Sequence, residues 1–163
     1  MQEKEAKQYD LIVIGVGSGG MGCGRRAAQF GKKVAMIENK VIGGTCVNVG
    51  CVPKKCMFNL ASFLEEISLF KDYGVEGTEH LKLDFKHFKQ QRDGYVKRLN
   101  GIYKTNLEKS GIDYYTGTAF FKGPKTVGTS EGEVLVADHI MIASGSEPTV
   151  PAFPGGELCW NSD

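Results

Sequence analysis

The 163 residues carry 20 basic and 19 acidic side chains, a net charge of +1, and 41% of them are hydrophobic. That length suits one domain or a piece of a larger protein, and the composition is too apolar for a disordered chain. Near-neutral charge argues against a nucleic-acid binder, and no apolar run approaches the ~18 residues of a membrane span. Glycine is the outlier at 22 residues. With neither a Gly-X-Y period nor a Gly/Ser tract, those glycines are expected in tight turns and close backbone approaches.

Residues 1–8 read as a polar tail. They lack the apolar centre of a signal peptide and hold too many acids for a mitochondrial presequence, so a cytoplasmic location is expected. Tyr9-Asp10 leads into Leu11-Ile12-Val13-Ile14, an apolar run that suits a strand buried on both faces. Gly15-Val16-Gly17-Ser18-Gly19-Gly20 follows, then a helix over Met21–Phe30 closed by Gly31, then a second strand over Lys33–Ile37 ending at Glu38. Together these make a βαβ unit. Beyond the segment Cys46–Lys55, the spacing of Met57, Leu60, Phe63, Leu64, Ile67 and Phe70 predicts an amphipathic helix. A second long helix starts at Asp84, its N-cap, and ends at Gly111, with Phe85, Phe88, Tyr95, Leu99, Ile102 and Tyr103 as its buried stripe. Asp113–Thr116, Ala119–Phe121, Thr126–Gly128 and Glu133–Val136 read as a β-meander, and His139–Ala143 as a strand returning to the parallel sheet. The expected fold is α/β: a Rossmann-like parallel sheet with an inserted β-meander, incomplete as it stands.

Gly15-x-Gly17-x-x-Gly20 is a weak signal alone, but here a strand precedes it, a helix follows, and Glu38 closes the next strand. In that setting Gly15 permits the tight turn, Gly17 lets the backbone approach a pyrophosphate, and Gly20 lets helix and strand pack closely. Glu38 is placed for ribose hydroxyls. A carboxylate there disfavours a 2′-phosphate, so the bound dinucleotide is expected to be NAD or FAD.

The five cysteines are Cys23, Cys46, Cys51, Cys56 and Cys159. In a regular helix, residues five apart have Cα atoms about 8–9 Å from one another, beyond the ~6.8 Å a disulfide spans. If Cys46 and Cys51 bridge, the segment must therefore depart from regular helix, and Gly50 is the natural place. So short a loop adds little chain-entropy stabilisation, and a bridge there makes most sense as a redox group. Two unbridged core thiols remain an alternative. A metal site would need two further ligands, and His80, His87 and His139 are scattered singly. Cys23, Cys56 and Cys159 read as buried or incidental thiols. Lys54 and Lys55 could lower a thiol pKa, or be ordinary surface lysines.

Gly43-Gly44-Thr45-Cys46-Val47-Asn48-Val49-Gly50-Cys51-Val52-Pro53-Lys54-Lys55 resembles the redox-disulfide segment of the pyridine nucleotide–disulfide oxidoreductases. Gly15–Gly20 and Glu38 resemble the same family's FAD-binding unit, and Ala143-Ser144-Gly145 its Ala-Thr-Gly segment with serine in place of threonine. Pro53-Lys54-Lys55 and Arg25 resemble the branch that acts on glutathione disulfide. Lipoamide dehydrogenases and mercuric reductases typically show Pro-Ser-Lys where this chain has Pro53-Lys54-Lys55, and large thioredoxin reductases usually carry Lys-Glu where it has Arg25-Arg26. Trypanothione reductases usually have an uncharged residue at Arg25.

The resemblance implies an NADPH-dependent flavoprotein, homodimeric in full length, in which electrons pass from NADPH through FAD to a Cys46–Cys51 disulfide. Cys46 is then the interchange thiol and Cys51 the thiolate against the flavin. The implied FAD contacts are Gly15, Gly17, Ser18, Gly19, Gly20, Glu38, Thr45, Cys46, Lys54, Ala119 and Gly145. Ser18, Arg25 and Tyr103 are the implied glutathione contacts. No second Gly-x-Gly-x-x-Gly occurs, and no His-Pro segment: His80, His87 and His139 are followed by Leu81, Phe88 and Ile140. Residues 9–145 are thus expected to be the first segment of an FAD-binding domain, and 146–163 the start of a connection to an NADPH-binding domain. The alternatives are a thioredoxin- or lipoamide-directed relative and a non-catalytic nucleotide-binding module. A reading frame that continues into a second glycine turn would exclude the module.

Overall fold

The computed structural model describes residues 5–162. Half of the polar tail read over 1–8 thus lies outside the described residues, and its other half is partly strand. The first strand, β1, spans Lys7–Ile14 and occupies the middle of a six-stranded sheet. It runs parallel to β2 (Val34–Glu38) on one side, with Leu11 opposite Val34, and to β6 (Val134–Ile142) on the other, with Ile12 opposite Ile140. β3 (Asp113–Thr116) lies parallel to β2, while β5 (Thr126–Thr129) and β4 (Ala119–Gly123) continue antiparallel beyond β6. The order is β3-β2-β1-β6-β5-β4.

Parallel neighbours need crossovers. The β1-to-β2 crossover is helix α1 (Ser18–Gln29), and the β2-to-β3 crossover holds α2 (Gly44–Asn48), α3 (Cys51–Leu69) and α4 (Phe85–Lys109). Alternate strand residues point to opposite faces and build two cores. Val13, Val16, Val34 and Met36 pack with Met21 of α1 and Leu107 of α4. Ile12, Ala35, Ile37, Val127, Leu135 and Ala137 form a second cluster of strand residues alone. Among the described residues no helix is long and apolar enough to cross a membrane.

Three sequence expectations are corrected. Asp113–Thr116 belongs to the parallel sheet beside β2, so the antiparallel part consists of β4, β5 and the start of β6. The runs at Glu133 and His139 are one strand: Val134–Val136 pair with β5 while the whole strand follows β1, so no break is needed where the partner changes. The predicted stripes of α3 and α4 are largely uncovered, with Phe63 56%, Phe85 53% and Met57 42% exposed. A 3.6-residue period reports an apolar face, not a partner for it. α3 packs mainly on α2 and α4 rather than on the sheet, and the buried anchor of α4 is Leu107, outside the stripe read from the sequence. The caps fall as expected: the Asp84 side chain accepts from the His87 amide at 2.9 Å, and Gly31 and Gly111 take the left-handed conformation after their helices.

Candidate active site

The carboxyl ends of β1, β2 and β6 meet at the glycine turn. Gly15 has φ +101°, and a Cβ there would collide with the carbonyl oxygen of Ala143, just beyond β6; a Cβ on Gly20 would collide with the Gly15 carbonyl oxygen. The turn is therefore as tight as backbone allows on both sides. The first N–H of α1 with a partner in this turn is that of Met21, donating to the Gly17 carbonyl at 2.9 Å. The preceding N–H groups, at the positive end of the helix, have no acceptor within it. Ser18 and Gly19 are exposed, nothing lies within 4 Å of a Cβ placed on Gly19, and no acidic side chain sits in the first turn. This is an open donor cluster suited to an anion such as a pyrophosphate.

Glu38 ties the turn to the end of β2. Its Oε2 accepts from the Val16 amide at 2.8 Å, and its Oε1 accepts from the Asn39 and Lys40 amides at 3.0 and 2.9 Å. A carboxylate offers about four acceptor positions, so one on Oε2 is left for a ligand hydroxyl. The Glu38 carbonyl takes the Gly117 amide at 2.9 Å, which brings the start of β4, with half-buried Ala119, to the same end of the sheet.

The cysteine segment docks directly on this turn. Gly43 donates its amide to the Val16 carbonyl at 3.0 Å. Gly44 has φ +61°, and a Cβ there would lie 2.8 Å from Gly17 Cα, so two glycine backbones touch where the motifs cross. α2 then ends irregularly. The Thr45 carbonyl accepts from Val49 at 3.0 Å and also from Gly50 at 2.6 Å, a five-residue turn wider than α-helix. Cys46 and Cys51 share that same spacing, on opposite sides of the break at Val49-Gly50, near enough that the Cys51 thiol raises the Cys46 pKa. Both carry free thiols in this structure. Cys46 is half-buried and Cys51 exposed at the start of α3.

The Cys46 pKa is raised above the ordinary thiol value, first by its hydrogen bond to Cys51 and then by burial, while the Ser18 hydroxyl opposes this by hydrogen bonding to the sulfur. Of the two readings left open for Lys54 and Lys55, the ordinary surface one fits Cys46. No lysine contributes to the shift; Lys54 and Lys55 are exposed, and the Lys55 ammonium rests 4.8 Å from the centre of the Phe58 ring.

Of the remaining expected residues, Thr45 is exposed beside Cys46, and Gly145 lies just past Ala143 with φ +75°. Arg25 is half-buried farther along α1, and its Nε is buried without a hydrogen-bond partner. Tyr103 is half-buried against the core beneath α4. Neither is hydrogen bonded to the cysteine pair. Cys23 and Cys56 are half-buried, Cys159 is exposed, and no group of three metal-ligating side chains occurs among the described residues. Two residues at the site escaped the sequence reading. Asn48 and Asn100 join their amides at 3.0 Å beneath the turn that leads into α2. The available signal was an asparagine set beside the apolar stripe of α4.

A family model described as pyridine nucleotide-disulphide oxidoreductase matches residues 9–162. The chain belongs to this family. Among curated oxidoreductases of known name, it is 44% identical over 167 residues to a glutathione reductase of Yarrowia lipolytica, covering 95% of this chain and 36% of that protein. It is 42% identical over 165 residues to a glutathione reductase of Schizosaccharomyces pombe, covering 97% of this chain and 36% of the relative. The chain thus spans about a third of the length of these oxidoreductases.

Proposed function

We propose that this chain is the FAD-binding, thiol-bearing portion of an NADPH-dependent enzyme that reduces glutathione disulfide. The observation that carries the reading is the junction of the two motifs. Gly17 and Gly44 touch backbone to backbone, the Gly43 amide donates to the Val16 carbonyl at 3.0 Å, and the Ser18 hydroxyl at the mouth of the dinucleotide turn is near enough to Cys46 to lower its pKa. A redox pair is thereby held against a nucleotide-binding turn.

The residues fit FAD. The open amides at the start of α1 suit its pyrophosphate, and the spare acceptor on Glu38 suits a ribose hydroxyl. Gly15, Gly17, Gly19, Gly20, Thr45, Lys54, Ala119 and Gly145 are the further contacts we assign to it. When bound, FAD supplies the two-electron relay from NADPH that restores the dithiol. The Cys46 thiolate attacks one sulfur of glutathione disulfide, forming a mixed disulfide and expelling one glutathione thiolate. Cys51 then attacks the Cys46 sulfur, expels the second glutathione thiolate, and leaves the Cys46–Cys51 disulfide. Arg25, with an unsatisfied donor and a permanent positive charge, is assigned to a glutathione carboxylate, and Ser18 and Tyr103 to the same substrate. The nicotinamide site, a homodimeric assembly and a cytoplasmic location complete the proposal, with residues 9–145 as the first segment of the FAD domain and 146–163 as the connection onward.

The test uses the protein from its complete reading frame. NADPH oxidation is measured with glutathione disulfide, oxidised thioredoxin or lipoamide as sole acceptor. Glutathione disulfide is expected to support turnover; turnover with one of the others and none with glutathione disulfide would overturn the substrate assignment. Cys46→Ser is expected to abolish disulfide reduction while leaving FAD bound and reducible by NADPH. Loss of FAD from that variant would show Cys46 to be structural.

A further inference from the structure

We infer that Asn100 and Asn48 are positioning residues for the dithiol pair: an amide clamp that fixes α2, and with it Cys46, while Cys51 moves with α3. The inference rests on the redox reading above and ties Asn48 of the cysteine segment to Asn100, which lies outside both that segment and the nucleotide turn.

The geometry is specific. The Asn100 side chain, on α4, donates through Nδ2 to the Ile42 carbonyl at 2.8 Å and to Asn48 Oδ1 at 3.0 Å. Asn48, at the last position of α2, donates through Nδ2 to the Gly44 carbonyl at 2.9 Å, with the Val41 and Ile42 carbonyls each at 3.3 Å. Because Asn100 donates to Oδ1, the Asn48 amide has one permitted orientation. Turned over, it would aim its oxygen at carbonyls and its nitrogen at a donor. Both ends of α2 are thus fastened, at Gly44 by the contact with Gly17 and at Asn48 by α4. Immediately beyond lies the break at Val49-Gly50, after which α3 begins.

Bridging two sulfurs favours the disulfide in proportion to how well their positions are already restricted. A clamp on the Cys46 side raises the effective concentration of Cys46 at Cys51, so it stabilises the disulfide relative to the dithiol. Releasing it should shift the equilibrium toward the dithiol, with no change in either sulfur or in the nucleotide turn.

The experiment equilibrates the complete FAD-loaded protein with glutathione redox buffers and counts bridged and free Cys46/Cys51 by alkylation and mass spectrometry. Asn100→Ala removes both donated bonds; Asn100→Asp keeps the shape but sets a carboxylate against the Ile42 carbonyl and Asn48 Oδ1. Each is expected to lower the disulfide-forming equilibrium constant about tenfold, a midpoint about 30 mV more oxidising, at unchanged FAD content. Should one variant fail to fold, the other decides. Asn100→Gln, which retains an amide donor, is expected to recover part of the shift. Variants that match a parent whose pair titrates normally would overturn this inference alone. A parent whose pair does not titrate would overturn the redox reading and this inference with it.

Discussion

Glu38 offers the sharpest test of how the nucleotide turn is built. Its carboxylate accepts three backbone amides, those of Val16, Asn39 and Lys40. In Glu38→Gln a single oxygen must replace two. If it keeps Asn39 and Lys40, the new amide nitrogen faces the Val16 N–H, in a residue with no exposed surface. A buried donor left unsatisfied costs about 1–3 kcal/mol, and the two surviving bonds lose the strength that a charged acceptor gave them. The sum is about 2–3 kcal/mol. With a urea dependence of about 2 kcal/mol per molar, the unfolding midpoint followed by circular dichroism should fall by ~1 M. Exchange of the Val16 amide, measured in the same samples, should accelerate by at least ~10-fold, since 1.4 kcal/mol is a factor of ten. Flavin retention should fall as well, because the spare acceptor goes with the charge. An unchanged midpoint together with unchanged Val16 exchange would refute the assignment of Glu38 as the brace of the turn.

Two glycines of the same turn should behave in opposite ways. Gly20→Ala drives a methyl into the Gly15 carbonyl oxygen and to 3.2 Å from Val13 Cγ1, so a loss of about 1–3 kcal/mol is expected in thermal unfolding. Gly19→Ala meets open space at a helical position; without flavin it should be neutral or stabilising by up to ~1 kcal/mol, yet weaken flavin binding by crowding the pyrophosphate. The Cys46 thiol, raised by its bond to Cys51, should alkylate in the reduced protein with an apparent pKa above the usual thiol range. Cys51→Ala should lower that value and Ser18→Ala raise it; the opposite order would reverse the roles given to these neighbours. Because the folded-state pKa is raised, the Cys46 contribution to stability holds below the ordinary thiol pKa and is lost as pH rises through the raised one.

The sequence was most legible where one local rule decides the outcome. The βαβ unit, the Asp84 cap and the distortion at Gly50 follow from apolar runs, capping chemistry and the reach of a disulfide, none of which needs a distant partner. Legibility failed where the deciding partner is remote. The apolar face of α3 is plain in the spacing of Met57 and Phe63, but whether it is covered depends on surfaces that the spacing does not encode. Leu107 is buried because α4 reaches back to β1 and β2, a tertiary fact. The break expected before His139 is missing because β6 keeps β1 alongside it while β5 drops away. At the site, the lysines after Pro53 left activation and plain surface charge equally open, and the neighbours that shift the Cys46 pKa are Cys51 and Ser18. Asn48 and Asn100, more than fifty residues apart, belong together only once the chain has folded.

The contact between Gly17 and Gly44 also bears on how such a protein can vary. Each motif alone tolerates many neighbours, but at their crossing Gly44 has no room for a side chain, because a Cβ there would lie 2.8 Å from Gly17 Cα. A segment carrying the thiols therefore keeps this seat only while it keeps a glycine at that position. The constraint on variation thus falls on the thiol segment rather than on the turn, where a Cβ on Gly17 would meet Gly44 Cα at an ordinary 3.5 Å.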